Sequence, residues 1–270
     1  VAEYAALQSL LSLGQAQQAD ACDSALPNES VALWFTDPPY YDAIPYSDLS
    51  DFFFVWLKRT IPQHPLLRDP FDPGNPLSPK SREAVQDETK THEGKPKDRN
   101  FFERTMAKAF AEGRRVLRED GVGSVVFAHK TTEGWETVIN ALLDSGLTVT
   151  ASWPISTEMK TRLRAKNSAA LASSIYIIVR KIKRKKIVFY PEIRHQLQLY
   201  LYEKLERLWQ EGISGADFFI ASIGAGIEVF AKYEKILDYE GNIIKANEFL
   251  DEIRKISTDF AVKRLSLIHI

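Results

Sequence analysis

The sequence predicts an α/β fold: a parallel, doubly wound sheet whose last strand returns as a hairpin, followed by a helical C-terminal third. Three observations carry this reading. Short apolar runs alternate with amphipathic stretches between residues 31 and 181, in the order β-α-β-α-β-loop-β. The runs are apolar toward both faces, as in parallel strands covered on both sides. After the basic run from Lys181 to Lys186 the strand signals give way to helical periods.

Each element has its own local signal. Residues 3–18 suit a short helix. Val31-Ala32-Leu33-Trp34-Phe35 is the first strand, expected to be buried, and Asp48 to Leu57 is expected to be helical. From Pro62 to Lys97 the chain is rich in proline, glycine and mixed charge. That composition predicts an irregular insertion, partly disordered or ordered only on a partner. Asp98 to Glu119 is the clearest helix, with Asp98 as N-cap and Phe102, Met106, Ala109, Phe110, Gly113 and Leu117 on one stripe. Gly121 to Ala128 is a second strand. Glu133 to Ser145 is a helix closed by Gly146 as the residue beyond its C-cap. Leu147 to Ile155 and Ser174 to Lys181 complete the strands. Pro191 to Gly212 places Ile193, Leu197, Leu201, Leu205 and Leu208 in helical register, and residues 217–233 and 247–265 suit further helices. The organisation expected is therefore a domain over 1–186, with the 62–97 insertion, and a helical region over 187–270.

Composition narrows the function. The 270 residues are 44% hydrophobic and 26% charged, which excludes a chain disordered throughout. Lys+Arg 35 against Asp+Glu 36 leaves a net charge of -1, so nucleic-acid binding requires a local basic patch. A single cysteine, Cys22, excludes a disulfide framework and a cysteine-based zinc finger and suits a reducing cytoplasm. Five scattered histidines add no metal-ligand spacing. No run approaches the ~18 apolar residues of a membrane span, so no membrane partner is expected. The chain opens on Val1 in a sequence like the middle of a helix and closes on the apolar Leu265-Ser266-Leu267-Ile268-His269-Ile270. Both ends read as cuts in a longer protein.

Asp37-Pro38-Pro39-Tyr40, directly after the first strand, is the most informative feature. Ligands of open α/β sheets bind outside the carboxyl ends of the strands. Two prolines fix two φ angles there and make the turn rigid. The Asp37 carboxylate and the Pro38 carbonyl can both accept hydrogen bonds from an exocyclic amino group, and Tyr40 offers a ring for stacking. An amine held by two acceptors keeps its lone pair aimed at an electrophile, and its proton can leave after attack. The plain structural alternative is that Asp-Pro merely starts a helix.

The longer string Trp34-Phe35-Thr36-Asp37-Pro38-Pro39-Tyr40-Tyr41-Asp42-Ala43-Ile44-Pro45-Tyr46-Ser47-Asp48-Leu49-Ser50-Asp51-Phe52-Phe53 resembles the large adenine-specific DNA methylases of microbial modification and phage-defence systems. Trp153-Pro154-Ile155, Ser173-Ser174-Ile175-Tyr176 and Asp217 to Gly224 resemble the same group, so the likeness runs from about Leu33 to Ile256. It implies the C-terminal half of a Rossmann-like methyltransferase sheet with a terminal β-hairpin, using S-adenosylmethionine (SAM). It also implies transfer of a methyl group to the N6 amine of a flipped adenine. Asp37, Pro38, Pro39 and Tyr40 would be catalytic, with Asp37 also touching the cofactor. Tyr40 would stack on the base, with Tyr41 a second substrate contact. DNA, SAM and the protein partners of a defence or modification system are the partners implied. The same four residues also serve RNA-base, cytosine-N4 and protein-amide methylation, and a non-catalytic DNA-binding or complex-forming subunit is the rival of another class.

One expected feature is missing: no glycine-rich SAM loop precedes Asp37, and the family places it in an N-terminal half. Gly224-Ala225-Gly226 could mimic such a loop, but Phe219, Ile223, Ile227 and Phe230 keep a helical period through it. His129 and Lys130 end the second strand on the same edge as Asp37 and could reach SAM, substrate or phosphate. The 158–166 loop carries Lys160, Arg162, Arg164 and Lys166 against Glu158, which makes it a candidate phosphate contact with an ordinary solvated turn as the alternative.

Overall fold

The computed structural model describes residues 17, 19–64, 67–69, 71–156, 173–181, 186–213 and 215–268. The helix expected over 3–18, the basic loop 158–166 and most of the Lys181–Lys186 run lie outside them.

A four-stranded sheet is built from β1 (Val31–Thr36), β4 (Leu117–Phe127), β5 (Thr148–Ser156) and β6 (Ser173–Arg180). Its order is β1-β4-β6-β5, with β1 parallel to β4 and β6 antiparallel to both its neighbours. The expected hairpin of β5 and β6 is therefore present. Its second strand, however, enters the sheet beside β4, so β5 is pushed to the edge and the sheet is mixed. Each of Val125, Ile177 and Val179 is buried, which makes the inserted strand the apolar centre.

Three helices cover one sheet face. In α2 (Arg99–Val116), Phe110 meets the Trp34 ring edge-on at 6.0 Å between centroids. In α3 (Thr132–Asp144), Trp135 meets Phe127 at 5.1 Å. α5 (Gly215–Phe230) packs on β5 and β6. Register puts Trp34, Gly123, Val125, Phe127, Ile175 and Ile177 on this side. On the opposite side Leu33 and Phe35 are 64% and 55% exposed, and Trp153 and Ile155 are exposed too. The expectation of a buried first strand is thus corrected: among the described strands β1 lies at the sheet edge, with one face open.

The caps explain where the helices begin and stop. Asp98 Oδ1 accepts from the Phe101 N–H at 2.8 Å, the N-cap that the sequence predicts. α2 ends at Val116, three residues before the expected Glu119, because Leu117 is extended and begins β4. Thr131 caps α3 through the Gly134 N–H, and Gly146 follows it with a φ of 77°, which glycine adopts without strain.

α4 (Tyr190–Gln210) buries Ile193, Leu197, Leu201, Leu205 and Leu208 against α5 and α6 (Ala246–Ile268). Each such side chain contributes roughly 1.5–3 kcal/mol by leaving water. One cluster of buried apolar residues runs from Tyr41 and Phe102 through the sheet to Leu205, Ile253 and Phe260. Glu228 of α5 joins the layers: it accepts from the Ser152 N–H at 2.7 Å, the Ser152 hydroxyl at 2.6 Å and the Tyr200 hydroxyl. A small parallel ladder of β7 (Ile187–Phe189) and β8 (Lys235–Leu237), with no signal in the sequence pattern, ties α4 to the segment after α5. No described helix is long and apolar enough to cross a membrane.

The described part of the 62–97 stretch is irregular as far as residue 86, as its prolines dictate, but ends in a hairpin that the irregular expectation did not include, and part-buried polar contacts tie it to its own chain. Asp51 of α1 (Tyr46–Thr60) accepts from the Ser78 N–H at 2.8 Å and pairs with Lys80. Glu83 accepts from the Ser47 N–H at 2.9 Å. β2 (Asp87–His92) and β3 (Lys95–Lys97) form a hairpin around Glu93 and Gly94, whose φ values of 50° and 75° suit a tight two-residue turn. Lys97 is fully buried and donates to the Lys80 carbonyl at 2.8 Å. Burial holds its ammonium below the usual lysine range. α1 itself buries only Ser47 and leaves Phe52 and Phe53 each 65% exposed, with Leu49 and Trp56 exposed beside them.

Candidate active site

The site grows from the carboxyl end of β1. Register sets Thr36 opposite Val125, so the next residue, Asp37, emerges at the edge where β4 also ends and β6 begins. The two prolines carry the chain across that edge without a backbone donor to satisfy. Asp37 is exposed, while Pro38, Pro39 and Tyr40 are half-buried. Among the described residues no donor engages the Pro38 carbonyl.

Tyr40 lies against Phe127, ring centroids 5.4 Å apart and edge-on. Burial raises its phenol above the usual tyrosine range, and the hydrogen bond to the Asp37 carboxylate reinforces that, with the Ser174 hydroxyl acting the other way. The phenol thus stays protonated beside the Asp37 carboxylate. A carboxylate has about four acceptor positions, so Asp37 retains room for a further donor. Tyr46, at the start of α1, is exposed and close enough for Asp37 and Glu83 to add to the upward push that burial gives its phenol.

Tyr41 takes another course. Its φ is 58°, a left-handed backbone that a bulky residue adopts only when its surroundings hold it there. Those surroundings are Phe102 at 5.2 Å and His129 at 5.6 Å, both edge-on, and a hydrogen bond from its hydroxyl to Glu133 Oε1 at 2.9 Å. Its ring is in the core, so the substrate contact expected of it is not placed at the surface; it anchors the turn. Glu133 is in turn near Arg99, which pairs with Glu136 at 2.9 Å.

His129, at the end of β4, is buried among these groups. Its Nε2 is 3.0 Å from Asp42 Oδ1, and its Nδ1 faces the Thr131 N–H at 3.2 Å. The sequence singles out His129 only as a residue on the right edge; its link to Asp42 spans 87 positions and has no local signal. Lys130, next in the chain, is exposed on the same edge. Lys160, Arg162 and Arg164 fall outside the described residues. The structure therefore brings together exposed Asp37, half-buried Pro38 and Tyr40 and buried Ser174, with Tyr41, Asp42, His129 and Glu133 beneath or beside them.

The glycines 224 and 226 are not a cofactor loop. They lie in the buried middle of α5, where a Cβ would meet Ser152 Oγ at 2.8 Å and Ile253 Cδ1 at 2.1 Å. They let the helix approach β5 and α6. No group of three His, Cys, Asp or Glu side chains among the described residues could hold a metal ion. Comparison of the sequence with protein-family models and with curated proteins finds no match.

Proposed function

We propose that this chain carries the amine-presenting part of a SAM-dependent DNA methyltransferase acting on the N6 amine of adenine. The observation that carries the proposal is the exposed Asp37 carboxylate next to Pro38, whose carbonyl no described residue engages, at the carboxyl end of a parallel strand. Two acceptors on a rigid turn suit an exocyclic NH₂ that must be held in one orientation. The half-exposed Tyr40 ring supplies a stacking surface for a base taken out of the duplex, a contact worth ~1–3 kcal/mol. The β5–β6 hairpin is a further support, because it is the sheet ending that the family resemblance implies.

The residues fit the amine and only part of the cofactor. SAM, when bound, supplies the electrophilic methyl group. Asp37 would be the residue to touch it, but the described residues contain no glycine-rich loop after a strand that would cradle it. The outer edge of β1, whose one partner among the described strands is β4, is where further strands bearing such a loop would join the sheet. Lys130, exposed on the same edge, would be available for a phosphate contact.

A non-catalytic subunit is the second reading, favoured by the apolar face of α1, whose exposed Leu49, Phe52, Phe53 and Trp56 mark an interaction surface. One experiment separates the two. The complete protein is incubated with unmethylated duplex DNA and SAM, and the nucleosides are analysed by mass spectrometry. N6-methyladenine that disappears in Asp37→Ala supports the enzyme; N4-methylcytosine or a methylated RNA would redirect the substrate. Methylation that survives Asp37→Ala with unaltered kinetics overturns the assignment.

A further inference from the structure

We infer that His129 is a positioning residue for the Asp37–Tyr40 turn, acting through Asp42, a role that rests on the amine-presenting reading of that turn. Asp42 is the last residue of the string Asp37-Pro38-Pro39-Tyr40-Tyr41-Asp42, and its carboxylate is about half exposed. Exposed side chains of this kind rarely fix a backbone. Here the partner is fixed instead.

One contact fixes the His129 backbone and four more fix its imidazole in one pose. Trp135 Nε1 donates to the His129 carbonyl at 2.9 Å. The Thr131 N–H donates to Nδ1 at 3.2 Å, and the Thr131 hydroxyl is 2.9 Å from the same nitrogen. Because Nδ1 is an acceptor, the neutral ring carries its proton on Nε2 and donates it to Asp42 Oδ1 at 3.0 Å. The ring also stacks on Phe127, 6.4 Å between centroids and 24° between planes. Phe127 is the residue against which Tyr40 rests, so one aromatic supports both ends of the turn.

Gly134 completes the cradle. A Cβ there would lie 2.3 Å from His129 Nδ1 and 2.4 Å from its Cγ. The ring occupies the space that any other residue at this helical position would fill. Alanine is the better helix former, so a glycine here sacrifices helix propensity to seat the imidazole.

The chemistry follows from the geometry. The left-handed Tyr41 makes the turn strained, and a strained segment keeps its shape only when its flanks are held. Pro38 and Pro39 fix one side of Tyr41; the His129–Asp42 bond fixes the other. Misplacement of a substrate-orienting group by about an ångström costs on the order of 100-fold in rate.

The test is a set of variants of the complete protein, read by steady-state methylation with tritiated SAM on unmethylated duplex DNA and by hydrogen exchange of a peptide spanning residues 37–45. His129→Ala and Asp42→Ala should each lower kcat by about 10- to 100-fold with the KM for SAM within twofold, and the double variant should be no worse than either. His129→Gln, whose amide can still donate to Asp42, should recover most of the loss. Gly134→Ala should reproduce the loss alone and add nothing in the His129→Ala background. If Asp37→Ala is inactive while His129→Ala keeps kcat within twofold, the positioning role is overturned and the enzymatic reading stands. If Asp37→Ala stays active, the enzymatic reading falls, and exchange decides the rest. Faster exchange of the 37–45 peptide in all three single variants upholds the clamp, and unchanged exchange in Asp42→Ala, which leaves the core untouched, overturns it.

Discussion

The Tyr41 hydroxyl donates to Glu133 Oε1 across 2.9 Å, joining the turn after β1 to the first turn of α3. This bond and the Phe102 contact stabilise a backbone conformation that a tyrosine otherwise avoids.

Tyr41 variants should therefore separate packing from hydrogen bonding. Tyr41→Phe keeps the ring in place and frees Glu133, which is half exposed and regains water. The loss should be about 0.5–1.5 kcal/mol. Tyr41→Ala should cost about 3–5 kcal/mol through the cavity it leaves. Urea unfolding of both variants at neutral pH checks the order, and equal losses would show that the ring contributes little.

Glu228 makes a second prediction. It is a buried acid accepting hydrogen bonds from β5 and α4. Glu228→Gln keeps the shape but replaces charge-assisted bonds with neutral ones and brings two donors where acceptors were wanted. Stability should fall by about 1.5–3 kcal/mol, measured as a shift in the urea midpoint at unchanged slope.

Cys22 should be a slow nucleophile. Burial, helped by the adjacent Asp20 carboxylate, pushes its thiol up to about 11. A raised thiol pKa leaves little thiolate at pH 8, and the greater intrinsic reactivity of that thiolate offsets only part of the deficit. Alkylation by iodoacetamide at pH 8 should be about 10- to 100-fold slower than for a free cysteine, rise as pH climbs toward 11, and recover the ordinary rate in urea. A fast reaction in the folded protein would contradict the burial.

On the proposed reading, Asp37 and Tyr40 act in different ways, which kinetics can show. Asp37→Ala should abolish methylation, since an acceptor of the amine is lost. Tyr40→Phe keeps the stacking ring and removes only the phenol beside Asp37, so it should retain more activity than Tyr40→Ala, by about tenfold or more. The comparison is made on kcat/KM with unmethylated duplex DNA. Equal activity of the two variants would remove stacking from the proposal.

Local chemistry was legible in the chain. The leucine spacing of α4 announced which five residues would be buried, and Asp98 announced its cap, because both depend on neighbours within about four positions. Gly146 did the same at the end of α3. The turn at Asp37 was legible too, since two prolines after an apolar strand leave few conformations. What lay below that turn was not. The inward course of Tyr41 depends on a pocket formed by Phe102, His129 and Glu133, all supplied by distant segments.

By itself, then, the sequence determined most of the helices, the buried stripe of α4, the presence of the four strands of the main sheet and the motif at the end of the first one. Tertiary structure decided the sheet order, the entry of β6 between β4 and β5, the open face of β1 and the clamp of Asp42 by His129. The reason is physical. Periodicity records only that one face of an element must be buried, whereas strand pairing and burial at a site are settled by partners far along the chain, whose contacts no local pattern encodes.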